Sequence, residues 1–210
     1  MTETSDELNR RANEKARKRK AAHDKKVAAK TVEKGLLIVH TGTGKGKSTA
    51  AFGLALRALG NGMRIGVVQF VKGAWKTGER PALESFGERV DMRVLGEGFT
   101  WETQDRARDV AAAEAGWAAV LEMIEASRGD NPRYDMLILD ELNIVLRYDY
   151  LPLAEVVAAL AGRPRGLHVV VTGRNAKPAL IEAADLVTEM TLIKHPFREQ
   201  GVKAQKGIEF

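Results

Sequence analysis

Hydrophobic and polar positions along this chain fall into two alternating rhythms. Short apolar runs stand at Leu36-Leu37-Ile38-Val39-His40, Ile65-Gly66-Val67-Val68-Gln69-Phe70-Val71, Val90-Asp91-Met92-Arg93-Val94-Leu95, Met136-Leu137-Ile138-Leu139-Asp140 and His168-Val169-Val170-Val171-Thr172. Their length and β-branched content predict strands, and the second and third read as largely buried. Between them apolar residues recur at helical spacing: from Ser48 to Leu59, from Val110 through Trp117, Val120, Leu121 and Ile124 to Ser127, from Leu153 to Ala161, and near Ala179 to Ala184. A last run from Leu186 to Ile193 completes the pattern. Strands alternating with helices in this way predict an α/β fold: an open, mostly parallel sheet with helices on both faces.

The first 34 residues break the rhythm. From Glu7 to about Lys34 the chain is rich in Ala, Lys, Arg and Glu, with neither Pro nor Gly, and offers only small apolar groups for burial. That composition suits a helix without a core of its own, either a solvated tail or a lid over an anionic ligand. Charge sharpens the division. The net +5 looks at first like a nucleic-acid signature, yet 11 of the 33 Lys and Arg lie in residues 1–34 against 6 of the 28 acids, which leaves 22 of each in the remainder. A basic arm, 1–34, and a neutral globular body, 35–210, are therefore expected. At 210 residues the chain has single-domain size. With no cysteine, disulfides, thiolate metal sites and thiol nucleophiles are excluded. A polar N-terminus and the lack of any apolar run near the roughly 18 residues that span a bilayer predict a soluble, cytoplasmic protein with no membrane partner.

The strongest chemical signal lies at the first strand-to-helix junction: Thr41-Gly42-Thr43-Gly44-Lys45-Gly46-Lys47-Ser48-Thr49. Glycines there let successive backbone N–H groups turn toward phosphate oxygens, and the helix start adds its positive end. Lys47 reaches the phosphates, and the Ser48 hydroxyl can ligate Mg²⁺. The motif follows G-x-x-x-x-G-K-[ST] except that Thr41 replaces its first glycine, which predicts a different curve where the loop leaves the strand. A P-loop that binds ATP is the expectation. Met136 to Glu141 is a buried strand ending in two acids, where P-loop proteins supply a carboxylate to Mg²⁺. The spacing leaves open which of Asp140 and Glu141 touches the metal.

Other segments are placed to meet the same cleft. Gly96-Glu97-Gly98-Phe99-Thr100-Trp101-Glu102-Thr103-Gln104 is a loop beyond a strand's carboxyl end, where open α/β sheets bind ligands, and it carries two large aromatics. Core closure is the competing role for Phe99 and Trp101. Lys72 to Gly78 and Thr172-Gly173-Arg174-Asn175 also follow strands and face the same edge, or else are ordinary connections. The histidines His23, His40, His168 and His195 show no metal-ligand spacing and read as structural, and the Asp-x-His-x-x-Gly motif that ligates cobalt in some corrinoid-carrying proteins does not occur.

In combination these motifs resemble the corrinoid adenosyltransferase family of P-loop fold. The resemblance is carried by His40 to Thr49, Val68-Gln69-Phe70-Val71-Lys72-Gly73, Gly98-Phe99-Thr100-Trp101, Leu139-Asp140-Glu141-Leu142, Val171-Thr172-Gly173-Arg174, Lys194-His195-Pro196-Phe197 and Gly201 to Glu209. Ser48 stands where that family more usually has Thr, which keeps the hydroxyl. The resemblance implies transfer of the 5′-deoxyadenosyl group of ATP to the Co(I) of a reduced corrinoid, with triphosphate leaving. It also implies catalytic roles for Lys45, Lys47, Phe99 and Trp101, the two aromatics packing against the corrin. Thr41 to Thr49 would bind ATP, with Arg174 and Asn175, and Ser48, Asp140 and Glu141 would bind Mg²⁺. A homodimer, a reductase that supplies Co(I), and a lid role for the arm complete the implication. Two alternatives compete: a P-loop kinase or ATPase attacking the γ-phosphate, and a nucleic-acid-binding ATPase using the arm, against which the neutral body argues.

Overall fold

The computed structural model describes residues 4–71, 77–95 and 105–209. Phe99, Trp101 and residues 72–76 of the expected Lys72–Gly78 connection lie outside the described residues. The chain divides after Glu33 into two units. The first is one helix, α1 (Ser5–Ala28), opened by a capping box in which Thr4 and Glu7 satisfy each other's backbone N–H groups. Pairs such as Glu14–Lys18 and Lys20–Asp24 line its surface, and it contains no buried residue. Local propensity and one turn of pairing, not packing, define this helix.

The second unit is built on six strands: β1 (Leu37–Thr41), β2 (Ile65–Gln69), β3 (Val90–Val94), β4 (Met136–Asp140), β5 (His168–Thr172) and β6 (Leu186–Glu189). They form one all-parallel sheet in the order β3-β2-β4-β5-β1-β6. The helices are α2 (Lys47–Gly60), α3 (Glu79–Glu84), α4 (Arg106–Glu125), α5 (Leu142–Arg147), α6 (Leu153–Ala161), α7 (Pro178–Ala183) and α8 (Pro196–Gln200). Strand alternation divides the core in two. Leu37, Val39, Leu137, Leu139, Val169 and Val171 join α4, α5 and α6 on one face, while Ile38, Ile138 and Val170 join Ala51, Phe52, Ala55 and Leu59 of α2 on the other. Each fully buried Leu, Ile or Phe contributes about 1.5–3 kcal/mol, so four central strands buried on both faces account for the continuous apolar runs in their sequence.

Two expectations are corrected. β3 is not largely buried: all five residues are half-exposed, because it is an edge strand. Its polar members are paired instead. Arg93 binds Asp91 and Glu122, and the Tyr134 hydroxyl donates to Asp91 at 2.6 Å. The final run is a strand only to Glu189, an exposed edge; Met190 onward leaves the sheet and crosses the loop that follows β1.

Candidate active site

The sheet order sets the site. β5 lies between β1, which carries the glycine-rich loop, and β4, which carries the acidic pair. In register, His40 is opposite Thr172, Gln69 opposite Asp140, and Leu139 opposite Val171, so the carboxyl ends of β1, β2, β4 and β5 converge. That edge is where open parallel sheets bind ligands.

Asp140 is 5 % exposed and fixed on both carboxylate oxygens. The Thr172 hydroxyl donates to Oδ1 at 2.8 Å, and the Gln69 amide donates to Oδ2 at 2.9 Å. Thr172 Oγ1 in turn accepts the Glu141 N–H at 3.0 Å. Glu141 adopts φ 62°, the left-handed region that a side chain occupies only when its surroundings impose it. The next residue begins α5, so this one kink turns the chain from strand to helix. The Glu141 carboxylate accepts no hydrogen bond among the described residues. Burial pushes its pKa up to about 7, helped by the charge of Asp140 and opposed by Lys47 and Arg174.

The glycine-rich loop is shaped by a neighbour. Gly42 and Gly46 have φ of 96° and 99°, conformations suited to glycine. A Cβ on Gly42 would stand 2.4 Å from the Met190 carbonyl oxygen, and on Gly44 2.7 Å. The Met190 N–H donates to the Thr41 carbonyl, and the Gly44 N–H donates to the Met190 carbonyl at 2.6 Å. Thr41, the departure from the motif, has a use: its hydroxyl accepts the Ala176 N–H at 3.0 Å, tying β1 to the turn after β5. Lys47 is 6 % exposed, with its ammonium donating to the Gly42 carbonyl at 3.1 Å and also to that of Gly44. Burial lowers its pKa; Glu141 opposes the shift and the charges of Arg174 and Lys45 add to it.

The expected residues are thus brought together unequally. Lys47, Glu141, Arg174 and Asp140 share one electrostatic neighbourhood. Ser48 is half-buried in the first turn of α2, while Thr43 and Thr49 are exposed. Arg174 and Asn175 form an exposed turn in which Asn175 has φ 57°. Lys45 instead pairs with Glu209, beside a cavity of about 450 Å³ that His195, Phe197, Val202 and Ile208 also line. His40 Nδ1 reaches the Lys47 carbonyl at 3.3 Å, and His168 Nδ1 accepts the Leu36 N–H at 3.2 Å, both structural contacts. Asn143 and Met190 were not singled out from the sequence, and Gln69 was named there only within a segment that carries the resemblance, with no role of its own. Gln69 at a strand's last position, mirroring Asp140, was the available signal.

Comparison with known proteins decides the family. The model of the ATP:corrinoid adenosyltransferase BtuR/CobO/CobP family matches residues 33–210. The chain belongs to the ATP:corrinoid adenosyltransferase family. A corrinoid adenosyltransferase of Pseudomonas aeruginosa is 52 % identical over 206 residues, covering 98 % of each chain. One from Sinorhizobium is 59 % identical over 198 residues, with 93 % of this chain and 90 % of the relative covered. The corrinoid adenosyltransferase CobA of Salmonella typhimurium is 48 % identical over 187 residues, covering 89 % and 91 %. As a corrinoid adenosyltransferase the chain is a transferase, and its family match includes every element of the sheet. Among the described residues no helix is long and apolar enough to cross a membrane.

Proposed function

We propose that the Co(I) of a reduced corrinoid attacks C5′ of ATP, so that a Co–C5′ bond forms as the C5′–O bond breaks. Cobalt supplies the electron pair and becomes Co(III), and the C–O pair departs with triphosphate. The observation that carries this reading is the buried Lys47 in a phosphate loop, within the electrostatic reach of Glu141 and Arg174, in a member of the adenosyltransferase family. Co(I) is itself the nucleophile, so a general base is not needed; what the protein supplies is charge stabilisation on the departing triphosphate and alignment at C5′.

In this reading Lys47 exchanges the loop carbonyls for phosphate oxygens, and Lys45 leaves Glu209 to join it. Thr41 to Thr49 hold the triphosphate, with Arg174 and Asn175 at its rim. The residues present fit Mg²⁺, which takes few protein ligands and completes its shell with phosphate and water. Among the described residues there is no group of three or more metal-binding side chains, but Ser48 and Glu141 offer a hydroxyl and an unshared carboxylate. Glu141 is the better ligand, since both oxygens of Asp140 are already held, and Asp140 orients the turn that carries it. When bound, Mg²⁺ neutralises charge on the triphosphate. Phe99 and Trp101 pack against the corrin and exclude water. The enzyme works in the cytoplasm as a homodimer, takes Co(I) from a reductase, and uses the arm as a lid.

Incubating the protein with ATP, Mg²⁺ and chemically reduced corrinoid tests this. Triphosphate formed in step with a photolabile adenosyl-corrinoid is the expected result; ADP with unchanged corrinoid would favour γ-phosphate attack and overturn it.

A further inference from the structure

The hydrogen-bonded chain that supports the acidic pair continues to a residue with no assigned part in the chemistry. Asn143, in the first turn of α5, is completely buried. Its Nδ2 donates to the Gly173 carbonyl at 3.0 Å, while its Oδ1 has no hydrogen-bond partner among the described residues. A buried amide with one half unpaired is a poor core residue, because the unpaired oxygen has lost its water and gained nothing. Leucine, of similar size, would serve packing better.

Gly173 explains what the amide holds. It has φ +123°, and a Cβ built there would stand 2.9 Å from both Glu141 Oε2 and Asn143 Cβ. Its peptide is therefore wedged between the kinked acid and Asn143. Gly173 precedes Arg174, whose charge acts on both Glu141 and Lys47. A shift of this one peptide displaces the Glu141 carboxylate and the Arg174 turn together.

We propose that Asn143 is a positioning residue: its amide pins the Gly173 peptide so that Glu141 and Arg174 stand opposite Lys47 in the geometry the triphosphate requires. This rests on the function proposed above, in which Glu141 and Lys47 act on Mg–ATP.

The test is a double-mutant cycle of Asn143→Leu and Glu141→Gln in the full-length protein, read by Mg–ATP binding, by adenosyl transfer and by thermal melting. Asn143→Leu is expected to keep its melting temperature within about 3 °C of the parent. It should lower kcat about tenfold and raise the Mg²⁺ concentration needed for half-maximal ATP binding by a similar factor. Added to Glu141→Gln it should cost clearly less than it does alone, since the part of its effect that runs through the Glu141 carboxylate is already gone. Losses that multiply in full, or a drop in activity that only follows the folded fraction with Mg²⁺ dependence unchanged, would overturn the proposal. Should the leucine variant fail to fold, Asn143→Ser, which shortens the side chain and withdraws the amide, completes the same cycle. If the parent binds Mg–ATP but transfers no adenosyl group, the functional reading fails, while the binding arm still decides the role of Asn143.

Discussion

Lys47 and Glu141 show how burial prepares a side chain for charge. Holding an ammonium at 6 % exposure costs solvation, and here two loop carbonyls offset that cost. Phosphate oxygens would offset it better, since their charge strengthens each hydrogen bond. Lys47→Ala should therefore lower adenosyl transfer about 10²–10³-fold, as removal of a transition-state donor typically does, with little loss of melting temperature. Steady-state kinetics beside a thermal melt checks both. Glu141 predicts a pH dependence. Its carboxyl, raised to about 7, is protonated below that pH and must lose the proton to bind a cation. The Mg²⁺ concentration for half-maximal turnover should rise as pH falls from 8 through about 7, and Glu141→Gln should flatten that dependence while weakening binding throughout. The sign for stability is opposite to that of a salt-bridged acid: burying the charged carboxylate costs stability progressively as pH rises from its unfolded value, about 4.3, to about 7, and the full cost persists above that. Glu141→Gln should therefore melt no lower than the parent at pH 8.

At the scale of elements, the strands, the longer helices and the six-residue α7 were legible in the sequence, while α3, α5 and α8 were not. β4, α6 and β5 fall within the expected residues because a five-residue apolar run bounded by polar ones, or nine residues at helical spacing, leaves little ambiguity. α3, α5 and α8 have only six, six and five residues, and α3 and α8 bury one residue and none, so little apolar period marks them. The phosphate loop and the acids were readable because their chemistry is local. The contacts of Thr172 with Asp140, Ala176 with Thr41, and Met190 with Gly44 were not, because they depend on β5 and β6 flanking β1, an order no local pattern encodes. β3 was misread for a related reason: its alternation of Val90, Met92 and Val94 with Asp91 and Arg93 marks a strand buried on one face, and strand order makes it an edge.

One anchor can be tested at this scale. Asp185, just before β6, accepts from Lys34, from the Leu37 N–H at 2.9 Å and from Arg163 at 3.3 Å, tying the starts of β1 and β6. The Lys34 hydrogen bond, then that of Leu37, holds its pKa below the usual aspartate value. A depressed acid stabilises the fold above its unfolded pKa, near 3.9, and that contribution disappears as pH falls through the lower folded value. Asp185→Asn should cost about 1 kcal/mol at pH 7, a small value because the pairs are partly solvated. The deficit relative to the parent should shrink below pH 4 in thermal melts. The arm makes a contrasting case, since α1 buries nothing of its own. Deleting residues 1–33 should leave the melting temperature of the body within about 3 °C while reducing corrinoid turnover, as the proposed lid requires. An unchanged turnover would remove the lid from the account.

For the whole molecule, a parallel sheet brings the carboxyl ends of β1, β2, β4 and β5 to one edge and places β5 between the phosphate loop and the acidic pair. That interposition lets Thr172 and the turn after it hold both sides of the site at once, through Asp140, Glu141 and Thr41. The architecture supplies a rigid cradle for triphosphate, and the same cradle would serve attack at phosphorus or at C5′. Family membership selects between them, and the bond that breaks decides. ATP carrying ¹⁸O in the bridge between C5′ and the α-phosphorus distinguishes the two by mass spectrometry. Attack of Co(I) at C5′ sends the label out with inorganic triphosphate and leaves none in the adenosyl-corrinoid, which is the predicted result. Label retained in ADP or AMP, with the C5′–O bond intact, would contradict it.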